Sequence, residues 1–371
     1  MMGPLLRSRN TTLAALLAAV LIPACTGTKP IVCPPPGASP GASLVDFGKE
    51  VTSIAGGTNS LWALRRVGRR GSQSDLVQVD PSTGRIKGTP IPLPDFGWAV
   101  AVGLDGVWVT TGPGFNKLGK ATGPGSLFQV DASSHRIRAR VRVGRWPDAV
   151  AVGDGAVWVA NFQDNTVSRV DPTRHTVVAT ISIPDGPDRI FAFGGKVWVQ
   201  TNNESAPLFR IDPADNRSTL IPNAPMQNVG LGAVWVIGPW ASKAALRRLD
   251  QATGRPFGPG LPLDIQPASV AIAGPDLWVA KFFFFCGKRA PTGPPAVSLA
   301  WFRVDPRTLR SLSGPVFVGG YHHVGIPVFS EGSLWFLANS GSQVVKIDLA
   351  KARRTPPSPT IRLPLPLLPS A

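Results

Sequence analysis

The same short pattern is written seven times along this chain. Residues 150–172 read VAVGDGAVWVANFQDNTVSRVDP. The skeleton returns as SIAGGTNSLWAL with LVQVDP, VAVGLDGVWVT with LFQVDA, FAFGGKVWVQ with LFRIDP, VGLGAVWVI with LRRLDQ, VAIAGPDLWVA with WFRVDP, and VFSEGSLWFL with VVKIDL. Each copy holds one tryptophan (Trp62, Trp108, Trp158, Trp198, Trp235, Trp278, Trp335) and one aspartate (Asp80, Asp131, Asp171, Asp212, Asp250, Asp305, Asp348). A repeat of this length is one supersecondary unit that must stack on its neighbours to bury an apolar face.

The spacings separate a rigid part of the repeat from a variable part. From each Asp to the next Trp the steps are 28, 27, 27, 23, 28 and 30 residues; from each Trp to its own Asp they are 18, 23, 13, 14, 15, 27 and 13. A near-constant interval implies packed structure, and a variable one implies a surface loop that accepts insertions.

Within the third copy, four runs rich in β-branched residues have strand character: Ala149–Val152, Ala156–Ala160, Thr166–Val170 and Thr176–Ile181. The GDG between the first two suits a hairpin turn, because glycine accepts positive φ. Asp171-Pro172 opens the next turn: the carboxylate can accept backbone N–H groups and the proline presets φ. Four strands recurring about every 40 residues describe a blade. The expected fold is therefore all-β, a seven-bladed β-propeller of four-stranded antiparallel blades, with each tryptophan wedged between neighbouring sheets. An open solenoid is the architectural rival. High Gly and Pro, at 40 and 39 residues, and only 16% charged residues fit many short strands joined by tight turns.

On VWVANFQDNTVSRVDP and its weaker copies, residues 44 to about 364 resemble the YVTN-type β-propeller repeat proteins, with tryptophan in place of the tyrosine of the naming motif. The resemblance implies the fold. It implies no single function, since such propellers serve many.

The N-terminus reads as an export signal. Arg7 and Arg9 precede an apolar run from Thr11 to Leu21, which is short for a membrane span, and Ile22-Pro23-Ala24-Cys25 follows. That ending resembles a bacterial lipobox, implying lipidation at Cys25 and an extracytoplasmic, membrane-anchored domain; an ordinary signal peptide with an incidental cysteine is the alternative. The expected organisation is a signal peptide at 1–24, a Pro/Gly-rich tether at 25–43, the propeller at 44–364 and a tail at 365–371. Cys33 and Cys286 are then the two remaining thiols, and an oxidising compartment permits them to pair; two free thiols are the alternative. Closing the ring needs a strand from one chain end. Ser43–Gly48 is favoured over Thr360–Pro364, whose prolines cannot donate to a ladder.

Three long insertions, 65–75, 111–125 and 281–299, fall between the second and third strands of blades 1, 2 and 6, on one rim. They carry Arg65, Arg66, Arg69, Arg70, Lys117, Lys120, Lys281, Lys288 and Arg289 against the single acid Asp75, in a chain of net charge +16. A basic rim favours an anionic partner, lipid headgroups, a phosphate-bearing wall polymer or nucleic acid, and an envelope protein is the other candidate. Export argues against nucleic acid as the natural partner. Phe282–Phe285 beside Cys286 either extends a strand or offers an aromatic patch.

The mouth of the central channel is expected to gather Trp98, Trp146, Asp148, Asp188, Arg189, Gln227, Ser269, His322 and His323, with Asn161 and Gln200 nearby. Aromatics mixed with polar groups suit a small ligand. No HExxH, GxSxG or P-loop pattern occurs, and the only glutamates are Glu50, Glu204 and Glu331. No metal or cofactor is expected. The enzymatic alternative is a lyase or hydrolase resembling virginiamycin B lyase, also a seven-bladed propeller. Only His323 offers a match to it, with no glutamate beside it. The leading expectation is a monomeric binding or scaffolding module.

Overall fold

The structure, a computed structural model, describes residues 41–353 except 58, 69–71, 117, 204–206, 223, 241–242, 263–268, 285–296, 314–315, 320–325 and 338–340. Seven sheets of four antiparallel strands are present. Strands are lettered a to d outward from the channel. Blade 1 covers 51–93, blade 2 covers 96–142, blade 3 covers 147–182, blade 4 covers 187–221, blade 5 covers 226–262 and blade 6 covers 269–319. Blade 7 takes strands a to c from 328–348 and its strand d from the N-terminal segment Ala42–Asp46. That segment pairs antiparallel with Gln343–Asp348, Ala42 opposite Ile347 and Asp46 opposite Gln343, so the N-terminal candidate closes the ring.

In blade 3 the strands are Pro147–Gly153, Ala156–Asn161, Thr166–Asp171 and Thr176–Ser182, the expected four with slightly wider bounds. All seven repeat tryptophans are fully buried. Each sits in a cluster that crosses one blade junction. Trp158 packs with Ile190, Val197 and Val199 of blade 4. Trp335 of blade 7 packs with Leu61, Ala63, Val77 and Val79 of blade 1, which carries the same core across the closure. The sheets approach so closely at their inner ends that a Cβ at Gly153 would lie 2.6 Å from the Ala192 Cβ of the next blade.

A second device ties the blades. The residue facing each tryptophan on strand c is long and polar, and in six of the seven blades it reaches the next blade's c–d turn; in blade 6 it is Arg303, which binds Asp276 of its own blade instead. Trp158 faces Arg169; Arg169 Nη1 donates to Pro213 O at 2.7 Å and to Asn216 Oδ1 at 2.9 Å, and its guanidinium lies 5.1 Å from the Trp158 ring. Arg248 Nη1 donates to Pro306 O, and Lys346 Nζ donates to Ser82 O across the closure. Gln78 and Gln129 do the same through the rings of His135 and His175. Each c–d turn is itself held by its aspartate: Asp171 Oδ1 accepts from the Thr173 and Arg174 N–H groups, both at 2.8 Å. These bonds hold the Asp171 carboxyl below the usual carboxylate range.

Strand direction alternates, so the b–c and d–a connections share one face of the disc, and the a–b and c–d turns share the other. The chain enters on the c–d face: Gly41 O accepts from Asp348 N at the bottom of blade 7, beside the short helix Leu349–Ala352. Among the described residues, no helix is long and apolar enough to cross a membrane.

Candidate functional site

Strands a of successive blades pack on one another around the axis. In blades 1 to 5 the pairing of strand a with strand b shifts one residue in from its start, between Val51 and Ser53, Gly97 and Ala99, Pro147 and Ala149, Pro187 and Arg189, and Met226 and Asn228. The residues skipped are Thr52, Trp98, Asp148, Asp188 and Gln227. A bulge re-aims its extra residue out of the ladder, so one position of the repeat supplies a ring around the b–c mouth of the channel. Four of the five were expected there. Thr52 was missed, although its place in the repeat identifies it.

Asp148 and Asp188 are adjacent members of this ring. Burial pushes the Asp148 carboxyl up to about 7, against a 3.0 Å bond from Trp146 Nε1 and with help from the charge of Asp188. Burial likewise raises Asp188 to about 6, opposed by Arg189, which follows it in the same strand. Asp188 Oδ1 is enclosed and has no hydrogen-bond partner among the described residues. Two carboxyls that ionise reluctantly make a mouth that changes charge near neutrality. Among the described residues, no three metal-ligating side chains cluster.

Beside the mouth the aromatic side chains form a continuous run. Trp98 contacts Phe115 at 5.3 Å, Phe115 contacts Trp146 at 4.6 Å, and Trp146 contacts Phe162 at 4.5 Å between ring centroids. Phe115 comes from the b–c insertion of blade 2, a small hairpin bridged at Phe115 and Ala121. The hairpin leans across to blade 3, where Ala121 N donates to Gln163 Oε1 at 2.6 Å. Phe162 opens onto a concavity of about 420 Å³ between blades 3 and 4, which Gln163, Asn165, Asp185 and Asn202 also line.

The basic rim is redistributed. The first insertion is mainly strand: strand b of blade 1 runs Ser60–Val67 and strand c runs Gln73–Val79. Arg65 is not a loop cation but a buried one. Its Nε and Nη2 donate to the two oxygens of Asp75 at 2.8 and 2.7 Å, and its Nη1 donates to Phe47 O at 2.7 Å. A charge removed from water must be paired, and Asp75, the one acid in the segment, is there for that purpose. Arg66 is half-exposed, ion-paired with Glu50 and placed 4.8 Å over the Phe96 ring. Lys120 is exposed. Residues 281–284 and 297–299 of the third insertion extend strands b and c of blade 6. The Lys281 side chain, and Arg69, Arg70, Lys117, Lys288, Arg289, His322 and His323, lie outside the described residues, as do Cys25, Cys33, Cys286 and Phe285.

Two residues expected near the mouth are committed internally. Asn161 is buried and its Nδ2 donates to Thr166 Oγ1 and Ser168 Oγ. Gln200 accepts from Met226 N at 2.6 Å and donates to Pro207 O, joining blade 4 to blade 5. Ser269 is buried at the start of strand a of blade 6.

Seven four-stranded sheets around one channel, closed by a strand from the other chain end, define the molecule as a seven-bladed β-propeller. It is similar to the structure of U3-55K, at TM-score 0.56 and 11% identity over 85% of this chain and 100% of that one. It is also similar to a chain of the Mitotic Checkpoint Complex, at TM-score 0.57 and 10% identity over 86% and 98%. A third is the Pan2 WD40 domain of Neurospora crassa, at TM-score 0.55 and 10% identity over 82% and 93%. At such identities the likeness is one of fold alone. No protein-family profile matches the sequence, and no curated protein does.

Proposed function

We propose that the chain is a membrane-anchored extracytoplasmic propeller, lipidated at Cys25, that works as a binding or scaffolding module through its b–c/d–a face. The observation that carries this reading is polarity of the disc. The polypeptide reaches the propeller at Gly41 on the c–d face, while the aromatic run, the groove and the titrating mouth lie on the opposite face. An anchor at Cys25 would therefore join the disc on the face away from the aromatic run and the groove. Within the anionic class, this favours a wall polymer or an envelope protein over the headgroups of the protein's own membrane. The net charge of +16 supports such a partner through long-range attraction.

The experiment uses the full chain in its native envelope, with a photo-crosslinking residue at one of two exposed sites. Leu118 is 75% exposed at the tip of the blade 2 insertion, and Thr173 lies in the c–d turn of blade 3. Crosslinks to polymer or protein are expected from Leu118 and not from Thr173, and Cys25→Ser is expected to release the chain from the membrane fraction. Partner crosslinks confined to Thr173, or membrane retention unaffected by Cys25→Ser, reject the proposal.

The raised Asp148 carboxyl favours a second reading, lyase or hydrolase chemistry at the channel mouth, because a group titrating near neutrality can give and take a proton. Turnover abolished by Asp148→Asn, with crosslinking from Leu118 intact, would select it.

A further inference from the structure

We propose that the groove between blades 3 and 4 is a binding subsite for an uncharged pyranose unit of a glycan chain. The inference rests on the reading of the b–c/d–a face as the ligand face and goes further by naming the ligand chemistry there.

A pyranose ring has two kinds of surface. Its axial C–H groups form apolar patches above and below the ring, and its hydroxyls radiate around the edge as combined donors and acceptors. A site for it needs an aromatic plane for the first and planar amides or carboxylates for the second. Phe162, half-buried, lines the groove and supplies its aromatic surface. Its ring rests on the Gly186 backbone, where an added Cβ would lie 2.8 Å from it, and it is backed by Trp146 at 4.5 Å. The fit against Gly186 fixes the ring in place. Gly186 has φ +64°, a conformation glycine adopts without strain, so both its backbone and its missing side chain serve this contact.

The polar complement has the matching inventory. Gln163 uses its Oε1 on Ala121 N, and Asn165 uses its Oδ1 on Gly186 N at 2.9 Å. Both carboxamides are thus oriented by their oxygens, which leaves their NH₂ groups as fixed donors at the groove. Asp185 accepts from Asn203 through Oδ2 at 3.2 Å and keeps its other oxygen as an acceptor. Asn202 is exposed at the groove edge and brings a carboxamide with both functions. The concavity is broad and open at about 420 Å³, which suits one sugar ring of a chain resting on the surface rather than an enclosed small molecule. Arg145, the nearby base, is paired with Asp164 at 2.6 Å, so among the described residues the groove has no unpaired cation, and Asp185 disfavours an anion. A proline-rich peptide also likes aromatic surfaces, but it offers few hydrogen-bonding groups to four convergent polar side chains.

The test titrates the full-length protein with an N-acetylglucosamine tetramer and with maltotetraose, followed by saturation-transfer NMR and by fluorescence of Trp146. Binding of at least one tetramer is expected. Phe162→Ala is expected to weaken it by about tenfold or more, and Asn202→Ala by about threefold, while Thr173→Ala, on the opposite face of the disc, leaves it unchanged. Asn202 is exposed and has no packing role, so its variant guards against misreading a folding defect. No transfer from either tetramer at about 10 mM, binding undiminished in both groove variants, or preferential binding of a proline decamer overturns the proposal. If the tetramers fail while Leu118 still crosslinks an envelope partner, only the glycan assignment falls; if Leu118 crosslinks fail as well, the ligand-face reading falls with it.

Discussion

The carboxyl of Asp148 is half-buried beside a second carboxyl, and among the described residues it accepts from the Trp146 indole. Its value in the folded chain is raised from 3.8 to about 7. The folded state therefore binds a proton more tightly than the unfolded state. Stability from this group is full below about pH 4 and falls as pH rises toward 7, beyond which the loss is complete. Asp148→Asn keeps an acceptor for Trp146 and removes the charge. The variant is expected to unfold at higher urea than wild type at pH 8 and at the same urea at pH 4, with a difference at pH 8 of at most about 4 kcal/mol. Equal midpoints at both values would show that the site solvates the carboxylate. Asp148 was legible in the sequence because its place in the repeat aims it at the channel. The burial of Arg65 was not legible. Four arginines within six residues read as one exposed cluster, and only the cross-strand register of Arg65 with Asp75 separates the first from the rest.

At the scale of the strand, the tryptophan wedge operates at every junction and the strand c latch at six of the seven, and they make separable predictions. Trp158 is fully buried within a cluster of two blades, so Trp158→Ala is expected to cost about 3–5 kcal/mol. Arg169 makes two hydrogen bonds to the next blade at a partly exposed site, so Arg169→Ala is expected to cost about 1–2 kcal/mol. Because the guanidinium lies over the indole, the double variant is expected to cost less than the sum, by about 0.5–1 kcal/mol. Urea unfolding of the three proteins measures all of these, and strict additivity would deny the stacking contact any energy. The strands and wedges were readable because alternation and a fixed Asp-to-Trp interval report packing. The latches were not. Gln, Arg and Lys at one repeat position look like ordinary exposed polar residues until the next blade's turn is brought within reach. The aromatic run escaped in part for the same reason: Phe115 and Phe162 lie 47 positions apart and meet on Trp146 only after blades 2 and 3 are side by side.

For the whole molecule, closure rests on the first described strand. Ala42–Asp46 completes blade 7, and the segment after it places Phe47, nearly fully buried, in the core shared by blades 7 and 1. Phe47 O also receives Arg65, whose charge is then paired across the seam. Removing residues 1–50 is expected to do three linked things. It strips the outer edge of Gln343–Asp348, vacates the Phe47 site and leaves Arg65 with Asp75 alone. Loss of Phe47 by itself accounts for about 3–5 kcal/mol. The bared edge is expected to recruit a second copy, giving concentration-dependent dimers by light scattering. A synthetic peptide of residues 41–50 supplies the missing strand in trans; it is expected to return the chain to a monomer and to raise its melting temperature with increasing peptide. Closure by six blades and part of a seventh without this strand would leave the truncated chain monomeric, as stable as the intact one and indifferent to the peptide. The ring's geometry argues against that outcome, because the Trp335 wedge and the Lys346 latch meet blade 1 at the same seam that this strand covers.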